Sequence, residues 1–156
     1  MHEIPIRSFA VSVFVLRRDG QHDNVLLMRR TGNILTGEWC QVAGEVERGE
    51  TAWQAALRET SEETGLALDR LYSADMCEQF YEADRDAITL TPVFVGYVAQ
   101  GSTVQLNAEH SEFRWVSLDD AVQLVPFTGQ RTTLEHIRRE FVERAPNPLL
   151  LIYQKP

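Results

Sequence analysis

The chain has 156 residues, enough for one domain with a sizeable core, and its 44% hydrophobic and 24% charged content is that of an ordinary water-soluble globular protein. Its net charge of −8 argues against non-specific binding to nucleic acid or to anionic membranes, but a polyphosphate brought in by metal ions remains compatible with it. The start, MHEIPIRSFA, lacks the apolar h-region of a signal peptide, and no apolar run is long enough to cross a bilayer, so a cytoplasmic protein is expected.

Ser8 to Arg17 (SFAVSVFVLR), rich in β-branched and aromatic residues, predicts a buried strand, and Asn24 to Arg30 (NVLLMRR) a second, paired through the turn at Asp19-Gly20. Thr31 to Glu38 reads as a loop broken by Gly32 and Gly37, and Trp39 to Ala43 as one short strand. Glu50-Thr51 opens a helix that closes at the C-capping pair Gly65-Leu66. Leu71 to Tyr81 and Ile88 to Gln100 predict two strands around the charged turn Glu82 to Asp86, and Glu112 to Val116 another. Ser117 caps a small helix, Leu118 to Leu124, with Asp119 and Asp120 in its first turn. Arg131 to Arg144 predicts an amphipathic helix with Leu134, Ile137 and Phe141 on one face. The tail Pro146 to Pro156, with its LLLIY, suits an edge strand, a cover over the core or an oligomer contact. Cys40 and Cys77 show neither metal spacing nor a disulfide framework, which predicts two buried thiols in a reducing compartment. Strands around one central helix, followed by further helices, give an α+β class.

The chemistry concentrates in GEVERGETAWQAALRETSEETGL, from Gly44 to Leu66. On a helix, Glu59, Glu62 and Glu63 fall within an arc of about 100°. Three like charges so close repel, and hard divalent cations such as Mg²⁺, which take carboxylate oxygens, would remove that penalty. Ala52, Ala55 and Ala56 lie on the same side, small enough for the helix to approach a sheet closely. A solvated acidic face is the bland alternative. Arg58 by itself reads equally as a surface partner of Glu62.

The spacing decides between them. Gly44, Glu50, Arg58, Glu59, Glu62, Glu63 and Gly65 occupy every fixed position of the Nudix box, a coincidence expected on the order of 10⁻⁸ per window by chance. Thr60 alone departs, where an apolar residue is usual. The chain therefore resembles the Nudix hydrolases from about Ser8 to Glu143. The resemblance implies a single domain over 1–156 with an α/β/α sandwich and a mixed sheet. It also implies hydrolysis of a nucleoside diphosphate linked to another group, with water attacking phosphorus and no covalent intermediate.

Under that resemblance, Glu59 and Glu63 are expected as principal ligands of Mg²⁺ (or Mn²⁺), with Glu62 as ligand or base and the Gly44 carbonyl completing the shell. Arg58 is expected to brace the loop through Glu50. The segment EHSEFRWVSLDDAVQL resembles the Nudix stretch from which a further ligand or base returns to the metal. Glu109 is the first candidate there, Glu112 the second and His110 the third. Arg29 and Arg30 end the second strand, and alternation lets only one face the cleft. Arg29 is taken as the phosphate clamp, with Arg7 as a further substrate contact. Trp39, Trp53, Trp115, Phe80 and Tyr81 are expected chiefly to pack, with base stacking as the alternative for Trp39, Phe80 and Tyr81.

WCQVAGEVE and the later FTGQRTTLEHI resemble the dihydroneopterin triphosphate pyrophosphatase and dATP pyrophosphohydrolase branch, implying pyrophosphate release from a nucleoside or pteridine triphosphate. Two alternatives stand beside it: a diadenosine tetraphosphate-type hydrolase, whose usual Pro-Lys-Gly is here Val42-Ala43-Gly44, and a nucleotide-binding domain without turnover. The expected partner is a small polyphosphate, with no nucleic acid or membrane and with a homodimer allowed.

Overall fold

A computed structural model describes residues 1–156. The first apolar run sets the centre: β2 (Ala10–Asp19) is buried from Val11 to Leu16 without alternation, because helices cover both faces of its sheet. It forms an antiparallel hairpin with β3 (His22–Arg30), in register Leu16↔Val25 to Asp19↔His22. The hairpin is zipped only near its turn. Farther out, β4 (Trp39–Cys40) pairs with β3 and β5 (Val42–Glu45) with β2, so residues 39–45 wedge the two strands apart.

One strand was expected over Trp39 to Ala43, and two are found. Gln41 breaks the run, and its buried amide donates to Ser12 Oγ at 2.8 Å. β6 (Arg70–Glu82) and β7 (Ala87–Val98) form a long hairpin, and β7 runs parallel to β2. The short β1 (Ile6–Arg7) also joins β7, and β8 (His110–Ser117) closes against β3. Of the three readings of the tail, the edge strand is the one found: β9 (Leu151–Gln154) pairs antiparallel with β6.

α1 (Ala52–Thr64) lies on the face carrying Val11, Val13, Val15, Leu26 and Met28, and Ala55 and Ala56 have no exposure against it. Its start is a capping box. Thr51 N donates to Gln54 Oε1 at 2.8 Å, and Gln54 N donates to Thr51 Oγ at 3.3 Å. Gly65 ends it at φ 69°, its N–H donating to Ser61 O. Thr60, the departure from the motif, is fully buried and gives its hydroxyl proton to Ala56 O at 2.7 Å, so a polar group stands at an apolar position without cost in unpaired donors.

On the other face, α2 (Leu118–Leu124) and α3 (Thr128–Ile137) bury Phe14, Leu16, Val25 and Leu27 against Leu134, Ile137 and Phe141. α3 begins three residues before the expected Arg131, and a π-helical turn, Arg138–Val142, continues it. The result is an α+β sandwich with a mixed sheet between helices. No helix is long and apolar enough to cross a membrane.

Two packing expectations are corrected. Phe80 and Tyr81 are 47% and 57% exposed, because the β6–β7 hairpin runs beyond the cover of the helices. Cys77 is exposed and only Cys40 is buried.

Candidate active site

The loop between β5 and α1 is closed by one cation. Arg58 donates from Nη2 to Glu50 Oε1 at 2.6 Å and from Nε to Glu50 Oε2 at 3.2 Å, a two-pronged contact that also reaches the Glu45 carbonyl at 2.9 Å. Glu50 Oε1 accepts the Glu47 N–H as well, at 2.7 Å. These donors, Arg58 first, hold the Glu50 carboxyl below its usual range. The other arm, Nη1, touches Glu59 at 2.7 Å and Glu62 at 3.3 Å. Arg58 thus contacts both the expected Glu50 and the alternative Glu62.

Glu63, one turn below Glu59, is 4% exposed, and its Oε2 has no hydrogen-bond partner. Burial, then the charges of Glu109 and Glu59, push its pKa up to about 8, against the opposing Ala43 N–H and Arg30. Glu59 is raised too, by burial first, while Arg58 opposes the shift. Gly44 lies directly against the Glu59 carboxylate, and a Cβ there would fall inside that group. Glu62 is more exposed and turned to Arg58. The structure therefore sets the Glu59 carboxylate against Gly44 with Glu63 one turn along the helix, the charge of Glu109 acting on both and Glu62 at the outer margin.

Glu109 comes from the loop before β8. Asn107 fixes it twice, donating from Nδ2 to Oε2 at 3.2 Å and accepting the Glu109 N–H at 3.0 Å. The Glu109 carbonyl is tied to Thr31 N at 3.0 Å, so the 31–38 and 107–109 loops are joined. His110 is buried beside Cys40, Nε2 to Sγ 3.6 Å, with Nδ1 unpartnered, and burial lowers its pKa. Glu112 is on the opposite face, held by Arg29 at 3.3 Å and Arg114 at 3.2 Å, so the second candidate for the base is not at this site.

Arg29 and Arg30 take opposite faces, as alternation requires. Arg29 points away, donating to Gly37 O at 3.0 Å and to Glu112. Arg30, of the same parity as buried Met28 on the α1 face, is the one whose charge acts on Glu63 and His110. Arg30 is the alternative to Arg29 at the end of this strand, and the parity of buried Met28 is the sequence signal for its face. Arg7 lines an open cavity of about 600 Å³ with Ser8, Phe9, Glu45 and Arg85, adjoining the end of β5. A second cavity of about 480 Å³, including Arg18, Arg70 and Tyr97, shares no residue with this region. Trp39 is 9% exposed, packed in the core under the Arg114 guanidinium.

No three His, Cys, Asp or Glu side chains are already drawn together in a metal-holding group, since Arg58 engages Glu59 and Glu62. The donor set nevertheless suits a hard divalent ion. It offers a buried carboxylate oxygen without a partner, two carboxyls raised first by burial and then by neighbouring negative charge, and a glycine that leaves them room. An ion bound to Glu63 would replace its proton.

Comparison with known proteins gives the arrangement a context. A family model described as NUDIX domain matches residues 7–145. A protein of Myxococcus xanthus described as octanoyltransferase is 36% identical over 133 residues, covering 84% of this chain but only 36% of that protein. An asymmetrical bis(5'-nucleosyl)-tetraphosphatase of Caenorhabditis elegans is 32% identical over 98 residues, 62% of this chain and 70% of its own length. The solved binary complex of a C. elegans Ap4A hydrolase superposes with a TM-score of 0.72 at 24% identity, over 83% of this chain and 94% of that one, a likeness of fold.

Proposed function

The chain belongs to the NUDIX family and is a hydrolase of phosphoric anhydrides, and from that premise we propose that it cuts dinucleoside polyphosphates of the diadenosine tetraphosphate type off-centre. The comparisons favour this alternative over pyrophosphate release from a nucleoside or pteridine triphosphate, the reading suggested by the stretch before the box. The single observation that carries the chemistry is the buried Glu63 carboxylate oxygen without a partner, one turn along the helix from a Glu59 carboxylate that lies against Gly44.

Nudix hydrolases typically depend on divalent metal, and in this reading Glu59 and Glu63, with Glu109 and the Gly44 carbonyl, hold Mg²⁺ or Mn²⁺. Bound there, such ions supply charge neutralisation and polarise phosphoryl oxygens. The chain's own groups do the rest. Asn107 occupies Glu109 Oε2, which leaves Oε1 to accept the proton of the attacking water. Water oxygen bonds to phosphorus, the bridging P–O bond breaks, and its electron pair leaves with the departing phosphate. Arg30 supplies positive charge on the same side of the sheet, and Arg7 a further contact at the rim. Arg58 keeps the Glu45–Glu50 loop against the helix, and Glu62 stays at the margin as a ligand or a second base.

Off-centre cleavage of a four-phosphate bridge leaves one and three phosphates. Chromatography of diadenosine tetraphosphate incubated with protein and Mg²⁺ should therefore give AMP and ATP in equal amounts. Intact substrate, together with pyrophosphate from dATP, would restore the triphosphate reading.

A further inference from the structure

β8 meets β3 with a register shift: Arg29 stands opposite Glu112 and Arg30 opposite His110, which leaves Ser111 without a partner in the ladder. An extra residue of this kind re-aims the side chains beyond it. Glu112 accordingly faces Arg29, whereas His110 is buried on the side where the charge of Arg30 acts. Beyond the bulge the ladder ends, since β8 begins at His110. Glu109 is therefore outside the strand whose pairing would otherwise fix it.

Thr31 takes over at that point. Its N–H donates to Glu109 O at 3.0 Å and its Oγ1 to Ala108 O at 2.7 Å, so one residue grips two consecutive carbonyls. With Asn107 holding the Glu109 N–H and Oε2, the segment is tied on both sides of the Glu109 Cα. The residue that grips is itself anchored. Arg30 donates from Nε to Ile34 O at 3.1 Å, Arg29 from Nε to Gly37 O at 3.0 Å, and Gly37 N–H to Arg30 O at 2.8 Å. Leu35 is held at φ 54°, a left-handed value that a leucine keeps only where its surroundings impose it. Thr31, Ala108 and Glu109 are all exposed, so water can replace the hydroxyl contact and its net contribution to folding is small. Water does not replace the fixed position of the two carbonyls.

We propose that Thr31 is a positioning residue for the Glu109 carboxylate, its hydroxyl and N–H setting the backbone from which that side chain reaches the attacking water. This rests on the reading of Glu109 as the proton acceptor, though not on which anhydride is cut. Arg30 and Thr31 are consecutive, so the end of β3 places both the cation that acts on Glu63 and the base.

The test is steady-state kinetics with Mg²⁺ and diadenosine tetraphosphate, or dATP should wild type cut that instead. Thr31→Val keeps the shape and the N–H but removes the hydroxyl. It should lower kcat about tenfold, with KM within about twofold of wild type and thermal stability nearly unchanged. Thr31→Ser, which retains the donor, should restore kcat to within about twofold. On a Glu109→Gln background Thr31→Val should lower kcat by less than about twofold more, because no base is left to place. Thr36→Val also removes a hydroxyl bond of this loop, the one to Gly32 O, and should leave kcat within about twofold. Independently of turnover, hydrogen exchange of residues 107–110 in the metal-free protein should be about tenfold faster in Thr31→Val and unchanged in Thr36→Val. Full kcat in Thr31→Val, a change in KM alone, an equal loss in Thr31→Ser or Thr36→Val, the same loss on the Glu109→Gln background, or unchanged exchange overturns the proposal. An inactive Glu109→Gln beside a fully active Thr31→Val removes the positioning role and leaves the base. A fully active Glu109→Gln, or a wild type that cuts neither substrate, removes the base and this role with it.

Discussion

Arg58 holds Glu50 at 2.6 Å with one guanidinium arm and Glu59 at 2.7 Å with the other, so a single side chain ties the glycine-flanked loop to the helix that carries the carboxylates. The two partners are used differently. Glu50 is gripped through both oxygens and also by a backbone N–H, whereas Glu59 is touched by one nitrogen and is available to a stronger cation.

If the brace is one unit, Arg58→Ala and Glu50→Ala should each reduce turnover by about 10–100-fold through misplacement of the loop. The double variant should then be hardly worse than the poorer single one. Fully multiplicative losses in the kinetic cycle would mean that the two residues act separately.

Glu63→Gln should lower turnover by about 10²-fold or more, with the fold intact. Its stability should move the other way. In the metal-free protein the folded Glu63 carboxyl titrates at about 8, against an ordinary 4.5. Between those values the folded state keeps a proton that the unfolded chain has lost, so stability falls as pH rises through that window. Thermal melts in chelator should show this fall in wild type and a flatter profile in Glu63→Gln.

The same group predicts protons released by metal. Below pH 8, Mg²⁺ or Mn²⁺ binding at Glu63 must displace its proton. Titration calorimetry in buffers of different ionisation enthalpy should detect that release near neutrality, and it should disappear in Glu63→Gln. Equal heats across buffers would place the metal elsewhere.

Glu109→Gln should depress kcat by about 10²–10⁴-fold with little change in thermal stability. Glu112→Gln, on the opposite face with Arg29 and Arg114, should have little effect. A fully active Glu109→Gln alongside an inactive His110→Ala would transfer the base role to the histidine.

Gly44→Ala is the sharpest steric test. The added methyl would collide with the Glu59 carboxylate, so the variant should lose most activity and metal affinity even where circular dichroism is unchanged. Unaltered metal binding would show that Glu59 can turn aside at no cost.

Local signals made the helix legible: Thr51 and Gly65 mark its ends, and small alanines mark its buried side. The spacing of Gly44 through Gly65 carried the site for the same reason, since one helix fixes the relative positions of Glu59 and Glu63. Long-range pairing was less legible. Gln41 divides Trp39–Glu45 because its amide has a partner on β2, which no local pattern reveals. The choice between Arg29 and Arg30 depends on a face, complicated by a register shift between these two residues on β3. Phe80 and Tyr81 have core-like side chains, and only the reach of the β6–β7 hairpin past both helix layers leaves them exposed.

The parallel pairing of β2 with β7 has a kinetic side. Ser12 and Val93 are adjacent in the sheet but roughly eighty residues apart in the chain, and such distant pairing makes folding slow. On a ribosome, β2, β3 and α1 emerge well before the strand that completes the sheet centre, and β8 follows later still. Until then the apolar stripe from Val11 to Leu16 has one open edge, which another unfinished chain could pair with. Slow refolding at high concentration should therefore favour aggregates built on that strand, and dilution should restore the yield.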